Sequence, residues 1–440
     1  MVWLDSQIYE KDKCELDVRR PVRKGEISIS RTEGGIPVVV ETLPSSSSVA
    51  LAAYVNVGSR NEPVERAGMA HLLEHMVFRG TENFTSRQIS ERIEDAGGEL
   101  NGFTSKEHTC YYSSILKETF ESAGEILGEV IAKPLLTEDS FSLEKQIVTQ
   151  EVRMLLNEPE SYIHYLFTQA IWEGHPMSIP EAGVFETIGS ISLDDLRDFY
   201  ASNYSPESLI VVASGGVEAG KVEEWASSLD SMPKVTRINN QLPPVPKADI
   251  KFFLREGDQA YVGLGFPGFS AGDPARQVQR MLGALLGAGM SSRLFQKVRE
   301  EEGLVYSIYS ISKHYSDCGN MGIYFSCSKD KLARVLYSIS SEFSLLKREG
   351  LEPGELDRVK RLIKGATVRR LESTENRMFR IGDSYVMTGK VKTVEEMIQE
   401  MEEITEDQVL AIAEEMIRPE KICVAIHGPV ADLDRDVLDF

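Results

Sequence analysis

Residues 71–75 read His-Leu-Leu-Glu-His. On an α-helix, histidines four positions apart share a face, and Glu74 falls beside them. The three polar side chains lie within an arc of about 100°, while Met69, Leu72, Leu73, Met76 and Val77 take the opposite side. Such a helix buries one stripe and presents two imidazoles and a carboxylate together on the other. Two imidazoles so placed can grip a zinc ion, and the carboxylate can take a proton from a water bound to it. With seven histidines in 440 residues, this spacing arises by chance on the order of 0.01 times per chain. The competing reading is a surface helix with two solvated histidines. A catalytic zinc also needs a third protein ligand and an open position. The stretch EKQIVTQE carries Glu144 and Glu151, seven apart and so on one helical face. By spacing alone, either reaches the metal.

Strand-like runs at 35–42 (GGIPVVVE) and 49–57 (VALAAYVNV) flank a turn-rich segment, Pro44 to Ser48. Helical patterns follow at about 65–78, 86–96, 116–132 and 138–156, then a strand-like LIVVAS at 209–214. Residues 231–249 hold four prolines and little periodicity, which marks an extended linker. The cycle then restarts, with YVGLGF, a helix at about 275–287, another ending near Glu302, strands around 304–312 and 320–327, and further helices. The halves read as degenerate repeats. An offset of 215 pairs Leu136–Glu160 with Leu351–Glu375, placing Glu144 against Val359 and Glu151 against Ala366. Only the first half keeps carboxylates there. The expected fold is α+β, two homologous halves, each a mixed β-sheet backed by helices. The expected domains are 1–230, the linker 231–249, and 250–440 without metal ligands.

HLLEH followed by the Glu of EKQIVTQE resembles the inverted zinc-metallopeptidase motif of the pitrilysin (insulinase) family. GMAHLLEHMVFRGT, GGELNGFTSKEHTCYY and SSRLFQKVREEEGLVYSIYS fall in the family's order along most of the chain. The likeness is greatest to half-length members, namely bacterial and archaeal processing-protease relatives and the mitochondrial processing peptidase β subunit. The resemblance implies that His71, His75 and Glu151 hold one zinc per chain. It makes Glu74 the general base and Glu144 a carboxylate that orients a ligand histidine. It also implies that Asn101, Gly102, Phe103 and Thr104 form an edge strand taking up the substrate, and that Arg299 and Tyr306 act at the scissile region from the second half. The family usually has Ala where this chain has Gly102. Without the resemblance, Arg299 reads as a cation at a helix C-terminus and Tyr306 as strand packing. His108 and His175 read as structural, and His164, His314 and His427 carry no spacing signal. Spacing does not exclude Mn²⁺ or Co²⁺ in place of zinc.

The net charge is −21, which disfavours phosphate backbones, so no nucleic-acid partner is expected. No apolar run approaches a membrane span. The five cysteines are scattered, odd in number and without a CxxC pair, which argues against a disulfide framework and for a reducing compartment. Asp5, Glu10, Asp12, Glu15, Asp17 and Glu26, with no apolar core among them, do not suit a leader peptide. The expected setting is the cytoplasm. The function expected is a zinc endopeptidase acting on short or unfolded peptides. The alternatives are a non-catalytic peptide-binding or assembly subunit and a zinc hydrolase of small molecules. Family members enclose their chamber with four homologous domains. A two-domain chain therefore implies a homodimer or a heterodimer with a homologous two-domain subunit.

Overall fold

A computed structural model describes residues 25–235 and 242–438. Cys14, the acids Asp5, Glu10, Asp12, Glu15 and Asp17, and the middle of the linker lie outside the described residues. Sheet one contains β1 (Glu26–Arg31), β2 (Pro37–Thr42), β3 (Ser48–Val55), β4 (Glu99–Thr104), β5 (Thr109–Leu116) and β6 (Leu209–Gly215), in the order β1-β2-β6-β3-β5-β4. Sheet two contains β7 (Ile250–Leu254), β8 (Gln259–Gly268), β9 (Ile308–His314), β10 (Gly319–Ser328) and β11 (Cys423–Gly428), in the order β7-β11-β8-β10-β9. Each sheet has one parallel pair, β2 with β6 and β7 with β11. From β2 onward the two sheets match strand for strand, so the halves share one topology.

The first half also carries α1 (Met69–Val77), α2 (Ser86–Asp95), α3 (Phe120–Ala132), α4 (Glu138–Leu156), α5 (Pro159–Ile171), α6 (Phe185–Ser190), α7 (Leu193–Asn203) and α8 (Ala219–Ser228). The second half carries α9 (Ala275–Gly287), α10 (Leu332–Glu349), α11 (Glu355–Arg370), α12 (Thr374–Thr388), α13 (Val394–Glu402) and α14 (Glu406–Met416). None of them is long and apolar enough to cross a membrane.

Strand β3 is apolar almost throughout because both of its faces are covered. Val49, Leu51, Ala53 and Val55 face the main core of the first half, with Leu72, Leu73 and Met76 of α1. Ala50, Ala52 and Tyr54 face the other way and pack with Met378 and Ile381 of α12, a helix of the second half. The exchange is reciprocal. Helix α5 lies on sheet two, where Ile163, Leu166, Phe167 and Ile171 pack with Tyr324 and Ala425. Gly263 and Gly265 make room for it, since a Cβ at either would meet Phe167 at 2.8 or 2.7 Å. Periodicity did not single out α5. After Ser231, which closes a 3₁₀ turn at Leu229–Ser231, the described part of the linker has no regular element. It follows the end of α5, where the Lys247 amide donates to the Ile171 carbonyl at 2.8 Å. Each half thus has its own main core on one side of its sheet and borrows a helix for the other.

Several expected boundaries move for local reasons. The helix expected from 65 starts at Met69, because Gly68 takes φ +101° and breaks it from a short 3₁₀ turn at Val64–Arg66. The helix ending near Glu302 has π geometry over Phe295–Glu301 and stops at Gly303, φ +59°. The following strand begins at Ile308 rather than 304. Cys110, Cys318, Cys327 and Cys423 are buried free thiols.

Candidate metal centre

Helix α1 buries its apolar stripe against β3 and turns His71, Glu74 and His75 toward a cleft of about 1130 Å³. Helix α4 packs alongside and supplies the carboxylates. Nε2 of His71 lies 3.8 Å and Nε2 of His75 3.6 Å from one Glu151 oxygen. The three form the one group, among the described residues, of His, Cys, Asp or Glu donors able to converge on a metal, all within 4.8 Å of one another. Tetrahedral zinc, with bonds near 2.0–2.1 Å, needs donors about 3.3 Å apart. The set therefore fits zinc with a small inward adjustment.

Glu144 takes a different place. One of its oxygens lies 2.9 Å from His75 Nδ1, and the other accepts from Arg79 Nε. A carboxylate can only accept, so Nδ1 of His75 donates to it and Nε2 is the nitrogen that faces Glu151. Burial, aided by the nearby His75, pushes the His71 pKa down to about 4. Its imidazole is neutral at pH 7, the form that ligates. Glu74 is buried, and burial raises its pKa, while a hydrogen bond from Thr104 Oγ1 at 2.9 Å and the neighbouring His75 pull it down. A carboxyl raised in this way suits a group that accepts a proton and gives it back.

Strand β4 is the edge of sheet one and forms one wall of the cleft. Gly102 lies against Glu74, where an added Cβ would come within 3.0 Å of Oε1. Thr104 reaches Glu74 directly, which the spacing did not indicate. The Asn101 side chain accepts from the Gly102 amide at 2.9 Å. The Phe103 ring packs edge-on to Phe379 of α12, beneath the sheet, so its side chain braces the strand.

Arg299 and Tyr306 meet each other, with the guanidinium 5.4 Å from the Tyr306 ring and 4.5 Å from Phe295. Neither lines the cleft, and Tyr306 is 83% exposed. Within one chain they are not brought to the metal group, because the end of the π-helical segment and the loop after it present them to solvent. His108 is buried between Tyr54 and Phe103, His164 bonds Tyr309, and His314 and His427 bond backbone carbonyls.

In the second half the matching groove is closed. Helix α9 follows β8 as α1 follows β3, but Gly283 and Gly287 let it close directly onto Ser310 of β9, whose hydroxyl donates to the Gly283 carbonyl at 2.6 Å.

Residues 37–183 match the family model described as insulinase (peptidase family M16), and residues 190–363 match that of the peptidase M16 inactive domain. The uncharacterized zinc protease YmxG of Bacillus subtilis is 33% identical over 404 residues, 91% of this chain and 98% of that protein. The uncharacterized zinc protease SCO5738 of Streptomyces coelicolor is 32% identical, over 93% of this chain and 91% of that protein. The fold is shared with a solved peptidase M16 inactive domain from Pseudomonas fluorescens (TM-score 0.85, 20% identity, 93% and 100% of the chains covered). It is shared too with a solved protease from Helicobacter pylori (TM-score 0.84, 22% identity, 92% and 100% covered).

Proposed function

The chain belongs to the insulinase (M16) family of peptidases, and from that membership we propose that it is a zinc-dependent endopeptidase of short or unfolded peptides. The observation that carries the reading is the convergence of His71, His75 and Glu151, with Glu74 beside them, on a cleft walled by an edge strand.

His71, His75 and Glu151 would hold the zinc, and Glu144 fixes the ring of His75. Bound zinc supplies a Lewis acid and lowers the pKa of a water. An extended peptide adds as a strand along Asn101–Thr104, so main-chain hydrogen bonds tolerate many sequences. Glu74 accepts the proton of the attacking water and delivers it to the departing amine nitrogen. The Thr104 hydroxyl keeps that carboxylate aimed. Arg299 and Tyr306 position the scissile carbonyl from a second, homologous chain, since their own chain leaves them outside the cleft. The working unit is therefore a dimer, and its enclosed chamber excludes folded proteins. The free thiols support a reducing setting, the cytoplasm.

Two variants test the assignment. Glu74→Gln should keep zinc and lose peptide cleavage by roughly 10³-fold or more, because a proton acceptor is removed without touching a ligand. His71→Ala should lose the metal itself. Zinc analysis and a peptide-cleavage assay on both proteins decide it: full zinc in His71→Ala, or undiminished cleavage by Glu74→Gln, would overturn the reading.

A further inference from the structure

The two histidines of α1 are held by different means. His75 has Glu144 on its Nδ1. Nδ1 of His71 is buried with no hydrogen-bond partner among the described residues. The direction of the His71 ring is therefore set by its backbone, in the first turn of a nine-residue helix. The first amides of a helix have no acceptor within it, and that turn frays unless something outside closes it. The usual device, a Ser, Thr, Asp or Asn at the N-cap, is missing here. The N-cap is Gly68, at φ +101° and without a side-chain bond. No side chain fits there, since a Cβ would lie 2.8 Å from the Ala182 carbonyl oxygen.

Glu62 supplies what Gly68 cannot. Its side chain is buried, and both of its oxygens point at the start of α1. One accepts from the Gly68 amide at 2.7 Å, the other from the Ala70 amide at 2.5 Å. Ala70 immediately precedes His71. We propose that Glu62 is a positioning residue for His71: by closing the first turn of α1 from outside, it sets the angle at which that imidazole meets the metal. Substitution by Gln keeps the shape but turns one acceptor into an NH₂, which faces a backbone donor. The loss falls on His71 and spares His75, one turn further on and separately anchored. Lys106 belongs to the same buried cluster and bonds the Ile179 carbonyl, tying the turn after β4 to the loop that covers Gly68.

This inference rests on the zinc reading, and the test separates the two. Wild type and Glu62→Gln are loaded with zinc and titrated with a competing chelator at a temperature where both are folded by circular dichroism, and their Co²⁺ forms are compared by visible absorption. The variant should bind zinc about tenfold or more weakly, in the range that supports around metal ligands command. Its Co²⁺ bands should shift, which a general loss of stability would not cause. Wild-type affinity with an unchanged Co²⁺ spectrum in the folded variant would overturn the role of Glu62 and leave the zinc reading intact. A wild type that binds no zinc would sink both. Should Glu62→Gln not fold, hydrogen exchange on the wild type decides: the Gly68 and Ala70 amides should be as protected as those in mid-α1, and exchange at loop rates would refute the proposal.

Discussion

At the scale of the residue, histidine serves this protein in opposite ways. His71 and His75 are neighbours whose rings lie 4.8 Å apart, in the group able to converge on a metal. His108 only fills space, with its ring 5.3 Å from Tyr54 and 5.9 Å from Phe103, and burial pushes its pKa down to about 4. An unfolded chain binds a proton at that residue near pH 6.5, which the fold refuses until about pH 4. Stability is therefore lost as pH falls through this window, by about 3 kcal/mol at most for the one residue. His108→Phe keeps an aromatic ring and removes the proton site. Its denaturant-unfolding free energy should fall by about 2–3 kcal/mol less than that of wild type between pH 7 and 4. His71 and His164, also lowered to about 4, keep part of the slope. Equal pH slopes in the two proteins would contradict the assignment.

At the scale of the element, β4 and α1 form one device. The strand brings Thr104 to Glu74, and Gly102 lets the strand and the helix approach. On sequence, Gly102 is a small departure from the family's Ala, acceptable beside a peptide. The structure shows that its tight neighbour is the Glu74 carboxylate. Added Cβ atoms at 3.0 Å from Oε1 and 3.1 Å from Cγ must push Glu74 aside. Gly102→Ala should lower kcat a few-fold and Gly102→Val by about tenfold or more, as small misplacements of a catalytic group do. Zinc content should stay unchanged in both. Steady-state kinetics with metal analysis would show it, and an unaltered kcat in Gly102→Val would argue against Glu74 as the group displaced. The contrast with the second half is instructive: there the same helix–strand approach, through Gly283, Gly287 and Ser310, shuts the groove.

At the scale of the whole molecule, the halves are interlocked by apolar and by charged contacts. Helix α12 brings Arg377 and Arg380 to buried Glu41 at 2.9 and 3.3 Å. The turn after β4 meets the turn after β9, where Arg60 joins Glu107 at 2.5 Å and Asp317 at 2.9 Å, and the Ser316 amide donates to Glu107 at 2.8 Å. Removing one partner of such a buried pair typically costs about 3–5 kcal/mol. The two halves are therefore locked together, and Arg299 and Tyr306 stay apart from the cleft of their own chain. If they serve a second copy, Glu74→Gln and Arg299→Ala, each nearly inactive alone, should complement each other. After random reassociation, half the dimers are mixed and each has one intact composite site, so activity should return to about a quarter of wild type. No recovery after verified subunit exchange would rule out action in trans.

Local order is what the sequence determined by itself. Periodicity placed His71, Glu74 and His75 on one face, put a helix at 138–156 where α4 runs Glu138–Leu156, and read the halves as degenerate repeats, to which the structure gives one strand order. These follow from contacts within a turn or two of chain, or from a pattern used twice. The tertiary structure decided what depends on how elements are turned against one another. Glu144 and Glu151 share a face of α4, and only its packing against α1 aims Glu151 at both imidazoles and leaves Glu144 to His75 and Arg79. The capping of α1 by Glu62 reaches across a 3₁₀ turn and the left-handed Gly68, where no regular element runs and periodicity carries no signal. The exchange of α5 and α12 is invisible to periodicity, because an amphipathic helix records that it has a buried face and not whose sheet that face will cover.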